Sequence, residues 1–172
     1  GAAGPAMEMV KLFQLQLEHY EKVEGVALSL EGKANQLSQM VRSHLPAAMQ
    51  GLAVVPLFAG FDQRRGIGRL FQYDVTGGRY EEDDYATSGS GGLHAATVIK
   101  LGYQPDLDAT ATVDLALRAL VTAADEDSAT GGPDPARGIW PVIATIDASG
   151  FTRLDDAELA SRFAALTAGG DA

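Results

Sequence analysis

Hydrophobic positions repeat at helical spacing through the first 45 residues of the chain. The first apolar stripe consists of Ala6, Val10, Phe13, Leu17 and Tyr20. This period predicts a helix over about residues 3–20, which Gly25 ends. Ser29 has the side chain of a helix N-cap. A second stripe from Leu30 to Leu45 predicts another long helix, whose last turns Pro46 is expected to kink.

The middle of the chain changes to strand patterns. A continuous apolar run over residues 52–61 predicts a strand covered on both faces. Pro56 within this run indicates an edge position or a bulge, because proline cannot donate to a ladder. Apolar and polar residues then alternate from Phe71 to Val75, which predicts a second strand. The pair Gly77-Gly78 is a hairpin turn signal, so residues 79–81 are predicted to return as an antiparallel partner.

The second half of the chain predicts two helices, a hairpin and a last helix. The first helix begins near Leu93, and the next is capped by Asp108 or Thr110. A strand over residues 139–146 and a return strand over residues 151–154 follow. The remaining features are a capping box formed by Asp155 and Glu158, and a tail over residues 168–172 that is expected to be mobile.

The predicted elements fall into groups: two helices, three strands, two helices, two strands and one helix. Such grouping predicts an α+β fold in which antiparallel sheets are covered by helix layers. The chain has 172 residues, of which 46% are hydrophobic. We therefore expect residues 1–172 to form a single domain with its own core.

Charge and composition exclude several classes of function. The net charge of -10 argues against nucleic-acid binding, which needs a basic face. The absence of cysteine excludes disulfides, thiolate nucleophiles and cysteine metal sites. The sequence contains no apolar run of membrane-spanning length and no pattern of a secretory leader. We expect a cytoplasmic protein that binds neither nucleic acid nor membranes.

The most unusual stretch is the acidic, glycine-rich turn from Ala124 to Asp134. It places Asp125, Glu126 and Asp127 at the C-terminal end of a helix, where the helix dipole disfavours negative charge. Asp127 and Thr130 have side chains that can hydrogen-bond nearby backbone across a tight turn. Two interpretations remain open at this point: a solvated helix end followed by a glycine loop, or a catalytic loop.

Other candidate patterns are incomplete. No two histidines lie four residues apart, and the acidic turn lacks the glycine and the last carboxylate of a calcium loop, so no metal site is predicted. The glycine-rich residues 87–92 predict a plain turn, because they lack the lysine of a P-loop. Ser88 also occupies the place of the first glycine that a nucleophile elbow around Ser90 would need. The acidic residues 81–84 are interpreted either as a solvated loop or as a surface that faces a basic partner.

Five motifs occur together along nearly the whole chain. They are Leu17-Glu18-His19-Tyr20-Glu21-Lys22 with Glu24-Gly25-Val26, Ala47-Ala48-Met49-Gln50-Gly51-Leu52, Ser90 within Gly-Ser-Gly, the run from Asp127 to Asp134, and Arg137-Gly138-Ile139. In this combination and order they resemble the β subunits of the 20S proteasome, specifically the actinobacterial type. Each motif alone is weak, but together they are highly specific.

The resemblance implies an N-terminal-nucleophile hydrolase with a four-layer αββα sandwich of antiparallel sheets. It implies a threonine-type endopeptidase that degrades proteins inside a barrel of four stacked heptameric rings. The implied partners are other β subunits in the same ring, α subunits in the outer rings and, indirectly, an ATPase regulatory ring. Peptides and proteins are the implied substrates, and neither a metal nor a cofactor is implied.

In the family that the chain resembles, the nucleophile is an N-terminal threonine exposed by removal of a propeptide. A lysine and the threonine's own amino group activate its hydroxyl. The resemblance implies that this chain starts after the family's first strands, so we expect the threonine, the nearby aspartate and arginine, and the lysine to be absent from it. Lys33 is not that lysine, because it falls within the second predicted helix.

The supporting half of the site is implied by residues that match the family's motifs. Ser90 matches a serine near the threonine amine, and Asp127 and Thr130 match residues that orient the nucleophile. Asp127 is expected to be a buried carboxylate. Gly1 matches the glycine whose backbone N–H serves the oxyanion hole. The positions that match the pocket for the substrate residue before the cut bond are Ala3 and Met7.

Two alternatives to a proteasome peptidase stay open. The chain could belong to a β-type ring scaffold that has lost the nucleophile half of the site. It could also belong to the simpler two-ring bacterial relative of the proteasome, a peptidase with six-membered β-type rings.

Overall fold

The computed structural model describes residues 1–168, and the chain divides into two compact units, Gly1–Ser88 and Gly89–Ala172. Most of the predicted mobile tail, residues 169–172, lies outside the described residues. Ala168 is the last residue of the final helix rather than the start of a tail. The expectation that residues 1–172 form a single domain stays a prediction.

The first unit is an antiparallel sheet with helices on one face. Its elements are α1 (Ala3–Glu24), α2 (Leu30–Ser43), α3 (Leu45–Ala48), β1 (Leu57–Asp62), β2 (Ile67–Tyr73) and β3 (Arg79–Glu82). The strands pair in the order β1-β2-β3, each antiparallel to its neighbour. The second helix packs against all three strands, so it is the main cover of the sheet in this unit.

The two long helices begin and end largely where the sequence predicts. Gly25 ends α1 in the left-handed conformation, with φ 72. Ser29 caps α2, because its Oγ accepts a hydrogen bond of 3.0 Å from the Gly32 N–H. The predicted kink at Pro46 is wrong, since α2 ends at Ser43. Pro46 instead lies in the first turn of the separate α3, where its missing N–H has no helical partner to lose.

The first strand is shorter and less covered than predicted. It begins at Leu57, directly after Pro56, because proline has no N–H to donate to a ladder. Leu57 is 39% exposed, whereas Phe58 packs against the core. The prediction that this strand is covered on both faces is therefore wrong within this unit. The edge position that Pro56 indicated is confirmed, because β1 lies at the edge of its sheet.

The core of the first unit lies between the helices and the inner face of the sheet. Its buried members are Met9, Phe13, Ala34, Leu37, Met40, Val41, Val54, Phe71 and Tyr73. Tyr73 is only 1% exposed, and its hydroxyl donates a hydrogen bond of 2.8 Å to the Ala34 carbonyl. Burial raises the pKa of the Tyr73 hydroxyl to about 12. This hydrogen bond ties β2 to the middle of α2.

A cluster of charged residues extends the same contact between helix and sheet. The Arg69 guanidinium binds three carboxylates, with 2.6 Å to Glu31, 3.2 Å to Asp62 and 2.6 Å to Glu81. Arg79 binds Glu31 as well, at 2.5 Å. Hydrogen bonds from Arg79 and Arg69 lower the pKa of the Glu31 carboxyl. The cluster therefore joins the first turn of α2 to all three strands.

Within residues 89–168 the second unit contains three helices and one hairpin. Its elements are α4 (Gly92–Gly102), α5 (Ala109–Glu126), β4 (Ala144–Asp147), β5 (Gly150–Arg153) and α6 (Asp156–Ala168). The fourth and fifth helices pack along each other, and α6 packs against α5. Buried apolar residues from α5, α6 and the hairpin region form the core, namely Val113, Leu117, Ile143, Leu154 and Leu159.

Two local predictions in this unit need correction. The strand predicted from residue 139 begins only at Ala144. Ile139 forms an isolated bridge with Asp134, and Pro141, which has no N–H to donate, lies between this bridge and the strand. Asp155 caps α6 by accepting a hydrogen bond of 2.8 Å from the Glu158 N–H. The reciprocal half of the predicted capping box is wrong, since the Glu158 carboxylate pairs with Arg162 at 2.7 Å instead.

The order of elements along the chain follows the predicted grouping of helices and strands, with α3 as an addition. This mixture of grouped helices and antiparallel strands confirms the α+β class. None of the helices within residues 1–168 combines the length and the apolar character that crossing a membrane requires.

Candidate functional site

The site is built on the end of α5. Asp108 rather than Thr110 caps this helix, because its Oδ1 accepts a hydrogen bond of 2.8 Å from the Ala111 N–H. Asp127 is the first residue after the last helical turn, with an extended backbone at φ -123 and ψ 110. Its N–H still donates to the Ala123 carbonyl at 3.0 Å. The helix thus fixes the main chain of Asp127 and leaves its side chain to bind residues outside the helix.

One carboxylate oxygen of Asp127 accepts hydrogen bonds from two hydroxyl groups. Ser90 Oγ and Thr130 Oγ1 each donate to Oδ2 at 2.5 Å. The other oxygen, Oδ1, accepts a hydrogen bond of 3.3 Å from the Ala129 N–H. The Thr130 N–H also donates to the Asp127 carbonyl at 2.9 Å, so the acidic stretch is a structured turn as predicted. We refer to Ser90, Asp127 and Thr130 as the hydroxyl cluster.

Ser90 reaches this cluster from a turn that leads into α4. The Gly92 N–H donates to the Gly89 carbonyl at 3.1 Å, which closes the turn. Gly89 has φ 93, in the region that favours glycine. The prediction of a plain turn is confirmed, and the turn brings Ser90 to Asp127 across 37 residues of sequence.

Hydrogen bonding favours the ionised form of Asp127. The Ser90 hydroxyl and then the Thr130 hydroxyl lower the pKa of the Asp127 carboxyl, and burial opposes them. The Ala129 N–H and the charge of His94 lower this pKa further. Because each hydroxyl gives its proton to Asp127, its oxygen keeps lone pairs that can accept from another donor. The cluster therefore offers two hydroxyl acceptors next to a negative charge, an arrangement suited to binding an amine.

The carboxylate of the hydroxyl cluster is more exposed than predicted from the sequence. Asp127 and Thr130 are half-buried, and Ser90 is exposed. The expectation of a buried carboxylate is therefore wrong within this unit. The turn after α5 therefore lies at the surface of its unit.

The other predicted site residues belong to the start of the first unit. Gly1 precedes α1, and a side-chain carbon there would lie 2.7 Å from the Ala53 carbonyl oxygen, so the backbone has room only for glycine unless it shifts. Gly1 also lines an apolar cavity of about 380 Å³ beside α1. Ala3 and Met7 are exposed and lie one helical turn apart on α1, with Met7 64% exposed. Their roles in the oxyanion hole and the substrate pocket stay predictions.

Sequence reasoning missed two neighbours of the hydroxyl cluster, although the bond from the Ala129 N–H confirms that Asp127 binds nearby backbone. One of the two is His94, which lowers the pKa of the Asp127 carboxyl. Gly91 packs closely against Thr130, and the glycine beside Ser90 in the sequence was the available signal for such a close approach. Within residues 1–168 no group of three or more histidine, cysteine, aspartate or glutamate side chains could hold a metal ion.

Comparison with known proteins shows that the sequence of this chain is similar to those of proteasome subunits. A family model described as Proteasome subunit matches residues 1–134. A protein named Proteasome subunit beta from Acidimicrobium ferrooxidans is 64% identical over 159 residues, which are 92% of this chain and 58% of the relative. Proteins of the same name from Jonesia denitrificans and Streptomyces griseus are 58% and 61% identical, over 93% and 92% of this chain and 53% and 56% of their own lengths.

The chain therefore spans a little more than half the length of the curated relatives that it matches. The similarity covers nearly all of the chain and includes Ser90, Asp127 and Thr130 within the span of the family model. On this basis the chain belongs to the proteasome subunit family, as a member of the β type.

Proposed function

We propose that this chain is part of the β subunit of a 20S proteasome core particle, and that the whole subunit is a threonine-type endopeptidase. The observation that carries the proposal is the hydroxyl cluster, in which Ser90 and Thr130 share one oxygen of Asp127 at 2.5 Å each. The relatives named Proteasome subunit beta support the same assignment. The nucleophile is an N-terminal threonine of the whole subunit, outside these 172 residues.

The proposed role of the cluster is to bind and orient the amino group of that threonine. Two N–H groups of the amine donate to Ser90 Oγ and Thr130 Oγ1, whose own protons are committed to Asp127. The nitrogen lone pair is then left to take the proton of the threonine hydroxyl as that hydroxyl attacks a peptide carbonyl. The negative charge of Asp127 stabilises the ammonium that this transfer produces.

We also propose a role for Gly1 in the oxyanion hole of the whole subunit. In the whole subunit its nitrogen is an amide N–H, which would donate to the oxyanion of the tetrahedral intermediate. Removing one such donor from other hydrolases costs about 3 to 4 kcal/mol of transition-state stabilisation. Ala3 and Met7 would contact the substrate side chain before the cut bond, and their exposure on α1 leaves them accessible for this.

The architecture and partners proposed for the whole subunit follow from the family. The fold proposed for the whole subunit is a single domain with a four-layer αββα sandwich. Seven β subunits form a ring, two such rings stack between rings of α subunits, and an ATPase ring delivers protein substrates. The proposed location is the cytoplasm, and the proposed chemistry uses no metal or cofactor.

The whole subunit, co-expressed with its α subunit, tests this function. We expect a mature β chain that begins with threonine by mass spectrometry, and hydrolysis of fluorogenic peptides that a boronate or an epoxyketone blocks. An assembled particle with a processed β chain but no peptidase activity would contradict the proposal and favour a non-catalytic ring scaffold. Native mass spectrometry that finds two six-membered rings and no α chain would favour the two-ring bacterial relative.

A further inference from the structure

The backbone conformation at position 91 does not require a glycine. It precedes the first turn of α4 with φ -78 and ψ 0, values that other residues adopt without strain. Gly89, two residues earlier, differs in this respect because its φ of 93 favours glycine. The reason for a glycine at position 91 must therefore come from the space around it.

That space is filled by Thr130 and by the last turns of α5. A side-chain carbon at position 91 would lie 2.6 Å from Thr130 Oγ1, well inside van der Waals contact. It would also lie 3.2 Å from the Cβ and 3.4 Å from the carbonyl oxygen of Ala123. Ala123 is only 3% exposed and belongs to a helix, so it has little freedom to move away.

These two neighbours are the groups that fix Asp127. Thr130 Oγ1 holds the carboxylate of Asp127, and the Ala123 carbonyl accepts the hydrogen bond from its backbone N–H. A rotation of the Thr130 side chain that made room for a methyl group would break its bond to Asp127. A movement of the loop would instead carry Ser90, the adjacent residue, away from Asp127.

We propose that Gly91 is a positioning residue for the peptidase reaction. The lack of a side chain lets the Ser90 loop approach the end of α5 closely enough for Ser90 and Thr130 to share one oxygen of Asp127. This inference rests on the proposed function of the hydroxyl cluster. It adds a residue that touches neither substrate nor nucleophile and acts through Thr130 and Ser90.

The direct test is Gly91→Ala in the whole β subunit, assembled with its α subunit. A shift of the acceptors by up to about 1 Å is expected to lower kcat by roughly 10- to 100-fold. KM is expected to stay within about twofold, because the neighbours of position 91 are Thr130 and Ala123, neither of which is proposed to bind the substrate side chain. A crystal structure of the variant particle should show a longer distance from Ser90 Oγ or Thr130 Oγ1 to Asp127 Oδ2 than the 2.5 Å seen here.

Gly131→Ala is the matched control. Gly131 is adjacent to Thr130, as Gly91 is adjacent to Ser90. A side-chain carbon at Gly131 would have no neighbour within 4 Å among residues 1–168, and the φ of Gly131 is not positive. The same added methyl group should therefore leave kcat and the melting temperature of the particle unchanged. Equal losses in the two variants, or no loss in Gly91→Ala, would overturn the inference.

A second variant separates a positioning effect from a general packing defect. Thr130→Ala removes the oxygen at 2.6 Å, so adding Gly91→Ala in that background should lower kcat by less than about threefold. If Gly91→Ala alone fails to assemble, Thr130→Ala should restore assembly. Failure of the double variant to assemble, or a full additive loss of kcat, contradicts a role through Thr130.

The two proposals fail in different ways. If the unmutated, processed particle does not cleave peptides, the proposed function is wrong and the role of Gly91 in catalysis falls with it. If the unmutated particle is active and Gly91→Ala matches it in kcat, the function stands and only the positioning role is wrong.

Discussion

Replacing Asp127 with asparagine removes the charge of the hydroxyl cluster while keeping its size. The amide oxygen can occupy the position of Oδ2 and accept from both hydroxyls, as the carboxylate does at 2.5 Å. The amide NH2 then faces the Ala129 N–H, and the hydrogen bond from this N–H is lost. At 3.3 Å it is the longest hydrogen bond to the Asp127 side chain, so this orientation of the amide sacrifices the weakest contact. Asp127→Asn therefore isolates the contribution of the negative charge.

The size of the effect follows from the distance between the charge and the amine. An amine bound to hydroxyls that lie 2.5 Å from Asp127 is about 5 Å from the carboxylate. At that distance and an effective dielectric constant near 20, a unit charge changes the stability of an ammonium by about two orders of magnitude. Because Asp127 is only half-buried, solvent screening reduces the expected loss of kcat to roughly 10- to 50-fold.

The assay is steady-state cleavage of a fluorogenic peptide by assembled particles over a range of pH. Because the pKa of Asp127 is lowered, its charge persists from neutral pH into the acid range and is lost as the pH falls through that lowered pKa. Asp127→Asn should therefore lose most activity near neutral pH. Asp127→Ala should lose more, since both hydroxyls lose their acceptor.

Asp125→Asn is the control for this prediction. Asp125 is exposed on the last turn of α5, so the same chemical change at the same helix end should leave kcat within about twofold. An Asp127→Asn particle as active as the unmutated one, or an equal loss in Asp125→Asn, would refute the electrostatic role of Asp127.

Three further predictions concern the cluster and the first unit. Ser90→Ala and Thr130→Ala should each lower kcat in peptide assays. The double variant should show a smaller fold-loss of kcat than the product of the two single fold-losses, because both hydroxyls act through one carboxylate oxygen. A fold-loss equal to that product would contradict this prediction. Arg69→Met should lower the melting temperature most near neutral pH, and this difference should shrink below about pH 4. The reason is that the three carboxylates bound by Arg69 have lowered pKa values and lose their charge only as the pH falls through those values. A difference in melting temperature that does not change with pH would argue against a stabilising role of these ion pairs. Tyr73→Phe should lower the free energy of unfolding by about 1 kcal/mol in urea denaturation of the unassembled subunit, since it removes one buried hydrogen bond to Ala34.

The helices could be predicted from the sequence because burial and periodicity agree there. The stripes of α1 and α2 supply Phe13, Ala34, Leu37 and Val41 to the core, and Ser29 caps α2 as its side chain indicates. The strands were predicted less well. The apolar character of a run does not show at which residue pairing begins. β1 begins directly after Pro56, which has no N–H to donate, whereas β4 begins three residues after Pro141.

Only part of the candidate site could be predicted from local chemistry. The turn at Asp127 and Thr130 follows from side chains three residues apart. The approach of Ser90 depends on how α4 and α5 pack, which no spacing in the sequence specifies, and it was expected only from the resemblance to a family. The exposure of Asp127 and the close contact of Gly91 with Thr130 are likewise consequences of packing.

The proposed function requires that the hydroxyl cluster binds the amine of an N-terminal threonine. A crystal structure of the assembled, processed particle measures this directly through the distances from the threonine nitrogen to Ser90 Oγ and Thr130 Oγ1. We predict that both distances lie within about 3.2 Å, as hydrogen bonds require. A threonine nitrogen more than about 5 Å from both oxygens, with the cluster bound only to water, would contradict the account.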